Sequence, residues 1–209
     1  MSDRASLARG YVLAGGASSR FGTDKALAKL QGKSMLARTA EVVSSVCSDV
    51  AVVAAGDKAS GVKLRTVMDR WPGEGPLGGI LTALLDANDK LGNDTWNLIV
   101  SCDMPFLTTE WLRFLIERAL QSGAEVVIPK STHGWEPLCA CWKAAAAEIV
   151  LPDFEAGTRK ITEALNALHV EVLDEKDWKR FDSDGRLFWN MNTQADYDEA
   201  RRALKVENT

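Results

Sequence analysis

Short apolar runs recur along the chain, and three of them, Asp49–Gly56, Val62–Asp69 and Trp96–Asp103, end in a glycine or an acidic residue. Arg9–Leu13, Glu125–Pro129 and His169–Leu173 also read as strands, and the runs within Asp49–Gly56 and Trp96–Asp103 are continuous rather than alternating. That is the signature of strands buried on both faces, as in a parallel sheet. Between them lie stretches with helical spacing. Ser34 can cap a helix whose apolar positions are Met35, Leu36, Val42, Val43 and Val46. Ile80–Leu85 continues a helix out of a glycine-rich loop, and Thr108 or Thr109 can cap one from about Glu110 to Gln121, with Trp111, Leu112, Leu115 and Ile116 on one face. Lys143–Leu151 and Thr158–Leu168 read as helices. Thr193, with Asp196 three residues on, opens a last one. The extended runs flanking Ser131–Trp135 suggest a small antiparallel hairpin, as an insertion or at an edge. Strand, helix and strand in alternation predict an α/β fold: one domain over residues 1–209, with a Rossmann-like, mostly parallel sheet covered by helices on both faces.

Composition narrows the class without choosing a function. A chain of 209 residues with 46% hydrophobic and 26% charged residues has an ordinary globular balance and can bury a substantial core. The formal net charge of −4 argues against a general nucleic-acid surface. No apolar run reaches the roughly 20 residues of a membrane-spanning helix, and Met1–Ser6 has no apolar segment of a secretory signal. Cys47, Cys102, Cys139 and Cys141 form no C-x-x-C pair and lie in or beside apolar runs, so reduced buried thiols and a cytoplasmic location are expected.

The chemistry concentrates after the first strand. Leu13–Lys25 packs three glycines, two serines, Arg20 and Lys25 into one turn. Glycines let backbone N–H groups approach an anion, and the two cations supply the balancing charge. The carboxyl end of a strand is also where open α/β sheets bind ligands. The spacing excludes a dinucleotide fingerprint, because Gly15 and Gly16 are adjacent. It excludes a Walker A loop too, because Leu27 stands where the first glycine would precede Gly32, Lys33 and Ser34. Two later strands end in acids, Asp69 and Asp103. Asp103 can serve a metal–phosphate site, as magnesium favours one or two carboxylates beside phosphates, or can simply cap a turn before Pro105, and Asp69 can cap a glycine-rich surface loop. His133 and His169 are the only histidines, and there is no G-x-S-x-G elbow, which disfavours a hydrolase.

Leu13–Lys25 matches L-A-G-G-x-x-x-R-x-G-x-D-K at every specified position. Asp69–Gly79 matches D-x-x-x-G-x-G-P-L-x-G, and Cys102–Phe106 matches C-D-x-P-[FY]. With these ordered motifs the chain resembles the molybdenum cofactor guanylyltransferases, the MobA-like nucleotidyltransferases, which share the nucleotide-diphospho-sugar transferase type of fold. The resemblance implies transfer of GMP from GTP to the terminal phosphate of molybdopterin, with pyrophosphate released and Mg²⁺ as cofactor. It implies that Leu13, Ala14, Gly15 and Gly16 hold the nucleotide through their backbone, and that Lys25 and Arg20 act on the triphosphate. Asp69 then contacts the nucleotide and Asp103 binds the metal. GTP and molybdopterin are the implied partners, with molybdoenzyme-maturation proteins downstream and neither nucleic acid nor membrane involved. Gly157–Lys160 and Asn190–Thr193 resemble later family motifs on the pterin side, which makes Arg159, Asn190 and Asn192 candidates, although Asn and Thr before a helix are also ordinary caps.

Two departures stand out. Glu136 replaces the family's His or Gln before Pro137, and Val52–Gly56 lacks an asparagine that some members place near the base. A cytidylyltransferase on the same pterin, a sugar-phosphate nucleotidyltransferase and a non-catalytic nucleotide-binding protein remain as alternatives.

Overall fold

The structure, a computed structural model, describes residues 8–15, 26, 28–56 and 61–206. The chain begins with strand β1 (Ala8–Leu13). A two-stranded hairpin, β2 (Lys29–Leu30) and β3 (Lys33–Ser34), turns at Gln31-Gly32, where Gly32 takes a φ of 81°. Helix α1 (Met35–Ser44), β4 (Val50–Ala54) and β5 (Arg65–Met68) follow. Next come α2 (Pro76–Leu91), β6 (Trp96–Ser101), α3 (Thr109–Gln121), β7 (Val126–Ser131), β8 (Gly134–Trp135) and β9 (Cys139–Lys143). The chain then runs through α4 (Ala146–Glu155), α5 (Ile161–Ala164), β10 (Val170–Leu173), α6 (Glu175–Trp178) and α7 (Gln194–Val206).

The main sheet has the order β10-β7-β9-β6-β1-β4-β5, with β8 paired to β7. All its pairings are parallel except those of β8 and β9. From β1 the chain goes outward to β4 and β5, then returns to the other side of β1 as β6. The carboxyl end of β1 is therefore the topological switch point, where such sheets open a crevice. Successive β1 residues face opposite layers. Val12 packs with Leu36, Val43 and Trp111 under α1 and α3, while Tyr11 and Leu13 pack with Leu77, Leu81 and Val150 under α2 and α4. Burial on both faces explains the unbroken apolar runs.

The helix starts follow local chemistry. Ser34 Oγ accepts from the Ala37 amide, and Thr108, rather than Thr109, caps α3 through the Trp111 amide. Thr193 Oγ1 accepts from Asp196 N at 3.2 Å while Asp196 Oδ2 accepts from Thr193 N at 2.7 Å, a reciprocal capping box at the head of α7. Gly10 is required for contact: a Cβ there would fall inside the van der Waals shell of Val43 on α1.

The expected small antiparallel hairpin is formed by β7 and the short β8, which lies off the main strand path. The run that follows goes further than expected: as β9 it lies inside the main sheet, antiparallel to both β6 and β7. Cys139, Ala140, Cys141 and Trp142 are fully buried there. None of the four cysteines forms a disulfide and all are buried, as expected, and burial pushes the Cys47 and Cys139 thiols up to about 12. Among the described residues no helix is long and apolar enough to cross a membrane.

Candidate active site

Three strand ends meet at the switch point. At the end of β1, Ala14 N donates to Val53 O at 2.9 Å and Leu13 O accepts from Cys102 N at 3.1 Å. Leu13 and Ala14 are thus pinned to β4 and to the residue after β6, and Gly15 emerges at the surface. Gly16, Arg20 and Lys25 lie outside the described residues.

Asp69 follows β5, with its amide on Ala54 O at 3.0 Å. Its Oδ1 accepts from Trp71 N at 3.0 Å and faces Thr82 Oγ1 at 3.2 Å, while Oδ2 stands 4.0 Å from where a Cβ on Gly15 would be. The structure therefore brings Asp69 to Gly15 at the end of β1. Thr82 is fully buried on α2 and also accepts from Arg70 N at 3.1 Å. The chemistry reading of the motifs passed over this residue. Its signal was available: Thr82 is the single polar residue in the run Leu77–Leu85.

Between Asp69 and α2 the chain turns at Gly73 and Gly75, with φ values of 89° and 86° that favour glycine. The paired glycines of the first helical turn have a different reason. A Cβ on Gly78 would stand 3.2 Å from Trp71 Cβ, and one on Gly79 would stand 3.4 Å from Leu13 Cδ1. Their absence of side chains lets the head of α2 close onto β1. The N-terminus of this helix, with Pro76 in its first turn, is thereby held beside the carboxyl end of β1.

Asp103, half-buried, follows β6. Its carbonyl accepts from Met191 N at 3.0 Å, and Thr39 Oγ1 reaches the neighbouring Cys102 carbonyl at 3.4 Å. The segment Asn190–Asn192, distant in sequence, is thus brought to Asp103. Asn190 lines a cavity of about 350 Å³ together with Ser131, His133, Glu136, Asp182 and Trp189. His133 lines this cavity. Burial raises the Glu136 carboxyl above the ordinary range, offset in part by a 2.6 Å hydrogen bond from Ser131 and by His133.

Arg159 goes elsewhere. Its Nε donates to Glu74 Oε2 at 2.6 Å, its Nη1 to Phe154 O at 2.6 Å, and its guanidinium stacks over the Phe154 ring at 4.1 Å. It braces the loop after β5 and stands with the Asp69 side of the crevice, not with Asn190.

A strand running into Gly15 at the switch point of a mostly parallel sheet, with a carboxylate following a strand to either side of it, fits a nucleotidyltransferase. Residues 10–171 match the family model described as the MobA-like NTP transferase domain, and the chain belongs to that family. The molybdenum cofactor guanylyltransferase of Desulfosudis oleivorans is 32% identical over 94% of this chain and 96% of its own length. A probable molybdenum cofactor guanylyltransferase of Pelotomaculum thermopropionicum is 31% identical over 97% of this chain and 95% of its own. The crystal structure of molybdopterin-guanine dinucleotide biosynthesis protein A from Archaeoglobus fulgidus superposes with a TM-score of 0.82 at 27% identity, covering 95% of this chain and 99% of that one.

Proposed function

We propose that this enzyme transfers GMP from GTP to the terminal phosphate of molybdopterin, forming the guanine dinucleotide form of the cofactor in the cytoplasm. The observation that carries the reading is the convergence of Asp69 Oδ2 on Gly15, with Asp103 joined to β1 through the Cys102–Leu13 hydrogen bond. The names of the two bacterial relatives support guanine and the molybdenum cofactor.

In this reading the backbone of Leu13, Ala14, Gly15 and Gly16 and the Asp69 carboxylate hold the nucleotide. Lys25 and Arg20 bind triphosphate oxygens. Arg is suited to bidentate phosphate contact and Lys to a point charge. The acceptor approaches from the cavity edged by Asn190, on the Asp103 side, with Asn192 nearby on the same segment.

Enzymes of this family generally use a divalent metal, and the residues fit Mg²⁺. Asp103 offers a hard oxygen donor at a central strand end, one strand from the phosphate-holding turn. Magnesium is usually held by one or two carboxylates, with phosphate oxygens and waters filling the remaining positions. When bound there it would neutralise charge on the phosphates.

The reaction needs no side-chain base. A phosphate monoester has a second pKa of roughly 6, so the attacking oxygen is largely ionised at pH 7. That oxygen forms the new bond to the α-phosphorus of GTP, and the bond from α-phosphorus to the bridging oxygen breaks to release pyrophosphate. Positioning and charge stabilisation are then the protein's main tasks.

Pyrophosphate release measured with GTP or CTP, with and without molybdopterin, tests the proposal. Release with GTP that depends on molybdopterin supports it. Preference for CTP identifies the cytidylyl alternative, and no release with either nucleotide overturns the proposal in favour of a sugar-phosphate acceptor or a non-catalytic nucleotide-binding protein.

A further inference from the structure

The cavity beside Asn190 has a chemistry of its own. Among the described residues that line it there is no lysine or arginine, whereas Glu136 and Asp182 both face it. It therefore disfavours a phosphate and favours a group rich in N–H donors. Its remaining walls include Trp178, Phe188 and Trp189. Trp189 stacks on Phe106 with centroids 5.6 Å apart and planes 16° apart, and Trp178 meets Phe188 edge-on at 5.3 Å. These contacts hold the aromatic walls in place, and at about 350 Å³ the space sits at the small end of the roughly 300–1,000 Å³ usual for ligand pockets.

Glu136 is fixed within this space. Its amide donates to Pro129 O at 3.0 Å and its carbonyl accepts from Cys139 N at 3.0 Å. Ser131 Oγ accepts from His133 N at 3.0 Å, so its single hydroxyl proton is available to Glu136 Oε1, 2.6 Å away. One carboxylate oxygen is thereby oriented by the protein. An ionised carboxylate has about four lone-pair sites, which leaves acceptor capacity directed at a ligand in the cavity.

We propose that the Glu136 carboxylate, oriented by Ser131, accepts hydrogen bonds from the ring N–H and 2-amino group of a 2-amino-4-oxo pyrimidine edge, and so selects a pterin as acceptor. The inference rests on the functional reading above and names the residue that recognises the acceptor. It gives a role to the departure at this position, since a carboxylate accepts from both donors while Gln presents a donor of its own. The heterocycle sits between the aromatic walls, and its phosphate arm leaves past Asn190 towards Asp103, whose carbonyl holds the next residue, Met191.

Steady-state kinetics of wild type, Glu136→Gln and Glu136→Ala, with GTP and molybdopterin varied in turn, test the claim. The apparent KM for molybdopterin should rise about 10- to 100-fold in both variants, because buried acceptors that lose their donors discriminate strongly. The KM for GTP and the melting temperature of the near-isosteric Gln variant should stay at wild-type values. A binding readout runs beside it: tryptophan fluorescence titrated with pterin and with lumazine, which lacks the 2-amino group. Wild type should bind pterin more tightly, and Glu136→Gln should lose the preference. If wild type makes the dinucleotide while Glu136→Gln keeps a wild-type KM for molybdopterin, the inference falls and the functional reading stands. A rise in the KM for GTP alone also overturns it. If wild type makes no dinucleotide, the functional reading falls and takes this acceptor assignment with it.

Discussion

Thr82→Val probes the link between fold and site most economically. Valine keeps the shape of threonine, so no cavity opens, and only the hydroxyl is lost. That hydroxyl accepts from Arg70 N at 3.1 Å and lies 2.9 Å from Gly78 O and 3.2 Å from Asp69 Oδ1. Its one proton serves only one of these two oxygens at a time. Gly78 O retains its place in the helical ladder, and Asp69 Oδ1 keeps the Trp71 amide. The Arg70 amide loses a partner beside a side chain with 0% exposure. That donor is only partly buried, so leaving it unsatisfied costs about 1–2 kcal/mol, the lower part of the range for a buried group. For a chain of this length each kcal/mol lowers Tm by about 2–4 °C, so a fall of about 2–8 °C is expected by calorimetry. The Asp69 carboxylate also loses one of its two anchors. The KM for GTP should rise about tenfold with kcat within about threefold of wild type, the pattern of lost uniform binding. Thr82→Ser keeps the hydroxyl and should recover most of both effects. A Thr82→Val protein with wild-type Tm and wild-type KM for GTP would refute the reasoning that Thr82 holds Asp69 for the nucleotide.

Residues whose role is local were legible from the sequence, and those whose role depends on a distant partner were not. The glycine turn after β1, the acids ending β5 and β6, and the caps at Ser34, Thr108 and Thr193 each announce themselves within a few positions. The parallel sheet followed from unbroken apolar runs. Position within the sheet did not, because Cys139–Trp142 buried on both faces reads the same at an edge insertion or at the centre. Thr82 acts through Asp69, thirteen residues earlier, and carries no motif. Arg159 is a candidate acceptor contact by resemblance, and its salt bridge to Glu74, in the loop after β5, is not something its motif reveals. The placement of Asn190–Asn192 beside Asp103, marked by the Met191 N to Asp103 O hydrogen bond, is not something sequence spacing reveals.

Three further outcomes are expected. Asp86 accepts from Arg65, Lys90 and Tyr11; burial alone would raise its pKa, but these hydrogen bonds outweigh it and lower it from 3.8 to about 2. A depressed carboxylate stabilises the fold above its unfolded value near 4 and loses that stabilisation as pH falls towards 2. Discounted for solvent screening, the shift corresponds to about 1–2 kcal/mol, so urea titrations should show Asp86→Asn less stable by that amount at pH 6 and the gap narrowing between pH 4 and 2. Gly10→Ala drives a methyl group into Val43 and should cost about 1–3 kcal/mol in urea unfolding, partly recovered in the Gly10→Ala, Val43→Ala double variant. Asp103→Ala and Lys25→Ala should each lower kcat by about 10²-fold or more while circular dichroism and Tm remain near wild type.

The central claim concerns which phosphorus of which nucleotide is transferred to which acceptor. Incubation of the purified enzyme with molybdopterin, Mg²⁺ and GTP labelled at either the α- or the γ-phosphorus follows it directly. The account predicts that the α-label moves into the molybdopterin dinucleotide while the γ-label leaves entirely as pyrophosphate. The γ-label appearing in the pterin product, or release of labelled orthophosphate without any dinucleotide, would contradict it.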